Sequence, residues 1–138
     1  MSGSAVSAEN FGFDRQLRLR VAAEFSEVFA ARRVLRGACF ALHYRPNDKP
    51  HARLGLVIPK KQARDAVLRN AIKRQARELF RLRRAGLPPI DLVLRLARPL
   101  DPAGPARRVI DPQARAAWRT EIGALFDQLQ RNSHRSAS

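Results

Sequence analysis

Cysteine, acidic residues and long apolar runs are all scarce in this chain. A single cysteine, Cys39, among 138 residues excludes an internal disulfide and any cysteine-based zinc site of ordinary spacing. No uninterrupted apolar stretch approaches the roughly 20 residues that a bilayer-crossing helix needs. Met1 to Asn10 has neither a basic nor an apolar block and does not read as a secretory signal. The three histidines, His43, His51 and His134, are scattered, and none stands at metal-ligand spacing with a carboxylate or with Cys39. A glycine-rich phosphate loop is missing; Gly55 and Gly86 stand alone. Serines sit in the two ends apart from Ser26, so no nucleophile–base pair is suggested. Cys39, inside an alternating stretch, reads as a half-buried strand residue and not as a nucleophile. No catalytic constellation is left, and the chemistry this protein serves is expected to belong to a partner.

What the chain has is arginine. Lys plus Arg number 27 against 12 Asp plus Glu, a formal net charge of +15, and the only lysines are Lys49, Lys60, Lys61 and Lys73. A hydrophobic content of 45% suffices for one packed core. A charge of this size attracts polyanions by steering and by release of their counterions. Guanidinium groups fork onto phosphates and stack on bases, which favours nucleic acid over an anionic membrane surface. The expected organisation is a polar tail over residues 1–10, one domain over 11–131 and a flexible tail over 132–138, in a cytoplasmic, reducing environment. Pro99 to Pro112 reads as a long loop.

The periodicity predicts a helix over Val21–Ala31, with Phe25, Val28 and Phe29 on one face. Alternation predicts strands over Ala38–Arg45, Arg53–Pro59 and Ile90–Ala97, with Val34–Gly37 as a short edge strand. One sheet face is thoroughly apolar; the other is mixed and includes His43 and Arg95. The short connection Arg45–Pro50 predicts that the first two main strands pair antiparallel. A long helix follows over about Ala63–Arg84, with Leu68, Ala71, Ile72, Leu79 and Leu82 on its inner side. Asn70, Lys73, Arg74, Arg77, Arg81 and Arg84 lie opposite, and Gly86 with Pro88-Pro89 stops the helix. The last helix starts with Asp111 as N-cap and Pro112 in the first turn, and carries the stripe Trp118, Ile122, Leu125 and Leu129. This order describes an α+β sandwich with helices packed on a sheet.

Residues 60–84 concentrate the charge: Lys60, Lys61, Arg64, Arg69, Lys73, Arg74, Arg77, Arg81, Arg83 and Arg84, opposed only by Asp65 and Glu78. Like charges at i, i+4 repel, so a helix that stacks Lys73, Arg77 and Arg81 reads as a polyanion site more than as a solvated face. Phe25 and Phe29 have two readings, ordinary core or a partly open aromatic floor on which an unpaired base stacks.

Leu54-Gly55-Leu56-Val57-Ile58-Pro59-Lys60-Lys61, then Arg69-Asn70-Ala71-Ile72-Lys73-Arg74 and Arg77-Glu78, resemble the protein subunit of bacterial ribonuclease P. In that family a strand ending in Lys-Lys leads into a basic helix of the pattern Arg-Asn-Arg-x-Lys-Arg-x-x-Arg-Glu. Arg18-Leu19, Phe25 to Phe29 and Asp91 to Arg98 extend the resemblance to about residues 11–130. The departure is Ala71, where the family pattern is usually basic. The resemblance implies a mixed four-stranded sheet with a left-handed β-α-β crossover and helices at both ends of the chain. It implies the protein partner of a catalytic RNA that removes the 5′ leader of precursor tRNA, in a 1:1 holoenzyme whose Mg²⁺ is bound mainly by the RNA. By position, Arg69, Asn70, Lys73, Arg74 and Arg77 would hold that RNA, with Lys60, Lys61, Arg64 and Arg81 beside them. Phe25 and Phe29, with His43 and Arg95 on the sheet, would line the leader cleft. A ribosomal or other structural RNA-binding protein would share the charge and a related sandwich, without leader-dependent affinity.

Overall fold

The computed structural model describes residues 17–100 and 112–137. The stretch 1–10 and the expected cap Asp111 lie outside the described residues.

The most apolar strand organises the sheet. Ile90, Leu92, Val93, Leu94 and Leu96 are each at most 4% exposed, so both faces of this strand are covered, and such a strand belongs in the interior of a sheet. The strands are β1 (Val34–Arg36), β2 (Phe40–Pro46), β3 (Arg53–Val57) and β4 (Ile90–Leu96), in the spatial order β1-β2-β4-β3. β4 pairs antiparallel with β2, Leu42 opposite Leu94, and parallel with β3, Leu56 opposite Leu94. The expected β2–β3 hairpin is therefore not formed, because β4 lies between the two. Residues 47–52 need span only two strand spacings, about 10 Å, and this loop is tied to the start of β4. The Asn47 N–H donates to the Pro89 carbonyl at 3.2 Å and Asn47 Nδ2 to Asp91 Oδ1 at 2.7 Å. The outer edge of β3 is covered by a parallel bridge from Arg18, with the Leu19 N–H donating to the Leu54 carbonyl at 3.1 Å; partial pairing of this kind protects an edge.

The described residues also form the helices α1 (Ala22–Ala30), α2 (Ala66–Arg83) and α3 (Pro112–Ala137), with a short 3₁₀ turn at Arg84–Gly86. α2 and α3 pack with the apolar sheet face, which contributes Phe40, Leu42, Leu54, Leu92, Leu94 and Leu96 to the main core. Phe80 of α2 meets Phe126 of α3 edge-on, ring centroids 6.3 Å apart, a contact worth about 0.5–1.5 kcal/mol beyond its buried area.

α2 starts at Ala66, three residues later than the periodicity suggests, because Asp65 caps it by accepting from the Val67 N–H at 2.9 Å; such a cap contributes about 1 kcal/mol. Its buried residues are Leu68, Ile72, Gln75, Ala76, Leu79 and Phe80. Leu82, expected inside, is 60% exposed. The buried stripe is rotated toward Phe80 because α3 packs along that flank, which leaves Leu82 beyond its margin. In α3 the expected Trp118, Ile122, Leu125 and Leu129 are buried, and so is Phe126, which that stripe omits. The helix continues to Ala137, through residues read from the sequence as a tail.

α1 lies on the other sheet face, over a smaller cluster of Leu19, Val28 and Val93, flanked by Phe25, Phe29 and Val57. Its first turn is closed by Glu24, whose Oε1 accepts the N–H groups of Arg20 at 2.8 Å and Val21 at 3.2 Å. After α1 the chain turns at Arg32, the one described non-glycine residue with positive φ, 58°.

Candidate nucleic-acid interface

The basic segment is presented on a braced support. The loop between β3 and α2 is folded back on itself, with the Gln62 and Ala63 N–H groups donating to the Pro59 carbonyl. Gln62 ties the loop to the end of β4, its carbonyl accepting the Leu100 N–H at 2.8 Å. Arg69 Nη1 donates to the carbonyls of Ala63 and Arg64 at 2.9 and 2.8 Å. Arg69 thus clamps the loop that carries Lys60, Lys61 and Arg64, all three exposed. Asn70, Arg74, Arg81 and Arg84 are exposed along α2; Lys73 and Arg77 are half-buried. Of the ten basic residues of 60–84, Arg83 alone reaches a carboxylate among the described residues, Asp127 at 2.9 Å. The acid that shares α2, Glu78, is taken by Arg119 of α3 at 3.0 Å. Burial, and then the nearby Arg18 guanidinium, push the Arg77 pKa below the usual arginine value. A cation held in this way is stabilised by an arriving phosphate.

The second surface is the cleft between α1 and the mixed sheet face. Val28, on the inner face of α1, is fully buried, while Phe25 and Phe29 on either side of it are half-buried. A Cβ built on Gly55 would stand 2.6 Å from Cε2 of Phe25, so the absence of a side chain lets that ring approach the strand. The Phe29 ring meets His43 edge-on, centroids 4.7 Å apart. Arg95 Nε donates to His43 Nε2 at 3.2 Å, which assigns the proton of the neutral imidazole to Nδ1. Burial, and then the charges of Arg95 and Arg36, hold the His43 pKa below the usual histidine value. The structure thus brings together all four residues assigned to the cleft. The aromatic pair flanks a small core and is itself only half-buried.

A charged hub at one end of this cleft was not found from the sequence. Arg53 grips Asp91 with two bonds, Nε to Oδ1 at 2.9 Å and Nη2 to Oδ2 at 2.8 Å, and reaches Glu24 of α1 through Nη1 at 3.0 Å. Asp91 is 2% exposed. Its place between Ile90 and Leu92 signals a buried charge that needs a partner, but no spacing names Arg53. Likewise, Glu121 Oε2 accepts the N–H groups of Cys39 and Phe40, both at 2.7 Å, and so joins α3 to the start of β2. Burial and then Glu121 push the Cys39 thiol pKa up, which makes it a poor nucleophile. Among the described residues no three His, Cys, Asp or Glu side chains converge to hold a metal ion, and no helix is long and apolar enough to cross a membrane.

These features define a small, strongly basic α+β protein with a largely un-neutralised basic helix on one surface and a half-buried aromatic pair on the other face of the sheet. Residues 13–120 match the family model of ribonuclease P, and the chain belongs to that family, as a protein component of an endoribonuclease that works as a ribonucleoprotein with an RNA partner. It is 47% identical over 112 residues to the ribonuclease P protein component of Azoarcus sp. strain BH72, covering 81% of this chain and 85% of the relative. It is 41% identical over 128 residues to that of Chromobacterium violaceum, covering 93% and 98%. The solved structure of the RNase P protein from Thermotoga maritima matches with a TM-score of 0.60 at 25% identity, over 83% of this chain and 96% of that one. The RNase P protein of Staphylococcus aureus shows the same fold, with a TM-score of 0.65 at 22% identity over 80% and 93%.

Proposed function

We propose that the α2 surface docks the catalytic RNA and that the α1–sheet cleft takes the single-stranded 5′ leader of precursor tRNA. The particle is a 1:1 cytoplasmic holoenzyme in which the RNA subunit, with its Mg²⁺, cleaves the leader. The observation that carries this reading is the un-neutralised charge of residues 60–84, where Arg83 alone among ten cations meets a carboxylate within the described residues. Lys60, Lys61, Arg64, Asn70, Lys73, Arg74, Arg77 and Arg81 contact RNA phosphates, while Arg69 fixes the loop that carries three of them.

The protein acts by electrostatics and by binding. Packed RNA helices repel one another, and a compact chain of net charge +15 lowers that repulsion, so the holoenzyme works at lower Mg²⁺ than the RNA alone. In the cleft, Phe25 and Phe29 offer ring surface to unstacked bases without reading their sequence, and Arg95 supplies charge to the backbone. Mature tRNA has no leader, so these contacts favour substrate over product. The test compares the affinities of precursor and mature tRNA for the reconstituted holoenzyme. Tighter binding of precursor that depends on the protein supports the proposal; equal binding of the two defeats it.

A further inference from the structure

The open face of the sheet is electrically uneven along its strands. Where β3 and β4 begin, the charges cancel: Arg53 with Asp91 and Glu24, and Arg45 with Glu27. Where β3 and β4 end, they do not. The register sets Arg36 opposite Ala41, Ala41 opposite Arg95, and Arg95 opposite Val57, one row crossing all four strands. Val57 leads directly to Lys60 and Lys61 at one edge. At the other edge, Arg32 and Arg33 lead into β1. Arg32, Arg33 and Arg36 are exposed and have no ion pair among the described residues. No acidic residue occurs from Val28 to Asn47.

A second observation points the same way. Arg32 sits just past the end of α1 with φ 58°, a position where glycine is the ordinary occupant and a side chain is strained. Strain of this kind persists where the surroundings or the function require the residue, and the exposed Arg32 side chain has no ion-pair partner among the described residues to account for it.

We infer that Arg36 and Arg32 form a phosphate-binding strip at the β1 edge that takes the sugar–phosphate backbone of a long single-stranded leader, beyond the nucleotides held at Phe25 and Phe29. The inference rests on the leader-binding reading of the cleft. The RNA strand crosses the sheet from the β3 edge past Arg95 to Arg36. Arg95 and Arg36 stand two strand spacings apart, about 10 Å, the rise of about three stacked nucleotides. Recognition is of charge, so the strip adds affinity without base preference, and only for leaders long enough to reach β1.

The experiment uses holoenzyme reconstituted from the full chain and the catalytic RNA at fixed Mg²⁺. Its ligands are mature tRNA and precursor tRNAs with leaders of about two and about ten nucleotides. The variants are Arg36→Ala and Arg32→Gly; the second relaxes the backbone and is expected to raise the melting temperature, so lost binding cannot be laid to unfolding. The strip predicts roughly a threefold to tenfold loss of affinity for the long leader in each variant, with short-leader and mature tRNA unchanged. It also predicts that the salt dependence of long-leader binding becomes shallower by about 0.7 per charge removed. Equal losses for all three RNAs would assign these arginines to the catalytic RNA and overturn the strip, as would no loss with any of them. Wild-type holoenzyme that binds long-leader and mature tRNA alike would overturn the leader-binding reading itself, an outcome visible before any variant is made.

Discussion

The Phe25 ring rests against the backbone of Gly55, where a Cβ would stand 2.6 Å from its Cε2 atom. A strand residue on β3 thereby sets the position of an aromatic side chain on α1. Phe25 is only partly buried, so its ring can swing away from a new methyl group. Gly55→Ala is expected to displace the ring at a cost to stability of about 1 kcal/mol or more. The affinity ratio of precursor to mature tRNA should fall severalfold while binding of the catalytic RNA holds. A thermal melt and two binding titrations check this; an unchanged ratio would separate Phe25 from the leader.

Phe29→Leu removes a ring and keeps apolar volume. One lost base-stacking contact costs about 1–3 kcal/mol, roughly a fivefold to hundredfold loss of precursor affinity, with mature tRNA scarcely affected. Should the melting temperature drop while the precursor-to-mature ratio stays put, Phe29 is core only.

Acid should loosen the cleft. The folded-state pKa of His43 lies below the ordinary value of about 6.5, so the unfolded chain takes up its proton first as pH falls. Stability from this group is complete above about pH 6.5 and is lost as pH falls through the folded-state value. The proton also removes the Nε2 acceptor that Arg95 uses. His43→Gln, whose side-chain oxygen accepts at any pH, should flatten the decline in melting temperature between pH 7.5 and 5. A decline as steep as in the parent protein would place the titration elsewhere.

Arg74 is exposed on α2 with no carboxylate in reach among the described residues. Arg74→Ala should change stability by no more than about 0.5 kcal/mol while weakening assembly with the catalytic RNA and lessening its salt dependence. A melt that falls by many degrees with RNA affinity intact would mean that this face is not the docking surface.

Arg53 neutralises a nearly buried carboxylate. Arg53→Met leaves Asp91 without its charge partner, and losing one member of a buried pair costs about 3–5 kcal/mol. Glu24→Gln is the milder change. Its amide oxygen keeps the bonds from the Arg20 and Val21 N–H groups and loses the charge facing Arg53 Nη1. Chemical denaturation should show a large loss for the first variant and a small one for the second.

Much of this protein was legible in its sequence, and the parts that were not share a physical cause. Local periodicity located α1, all four strands and α3, because alternation and the 3.6-residue period report which side of a segment is covered. Charge along residues 60–84 marked the basic surface, since unopposed like charges on one helix are costly wherever the chain places them. Nothing local told β2 that its neighbour would be β4 and not β3: pairing depends on which strand can bury both faces, and among the described strands Ile90–Leu96 does so along most of its length. Leu82 was misplaced because the buried arc of α2 is decided by where α3 packs, which the helix itself does not encode. The cleft needed tertiary structure most of all. Phe29, His43 and Arg95 lie far apart in the chain and meet because α1 crosses the sheet where β2 and β4 set His43 opposite Val93 and Ala41 opposite Arg95. Residue types and their local order determined that this chain would be a basic α+β protein. Long-range pairing decided which side chains face one another, because contacts between distant segments depend on the packing of the whole core and not on either segment alone.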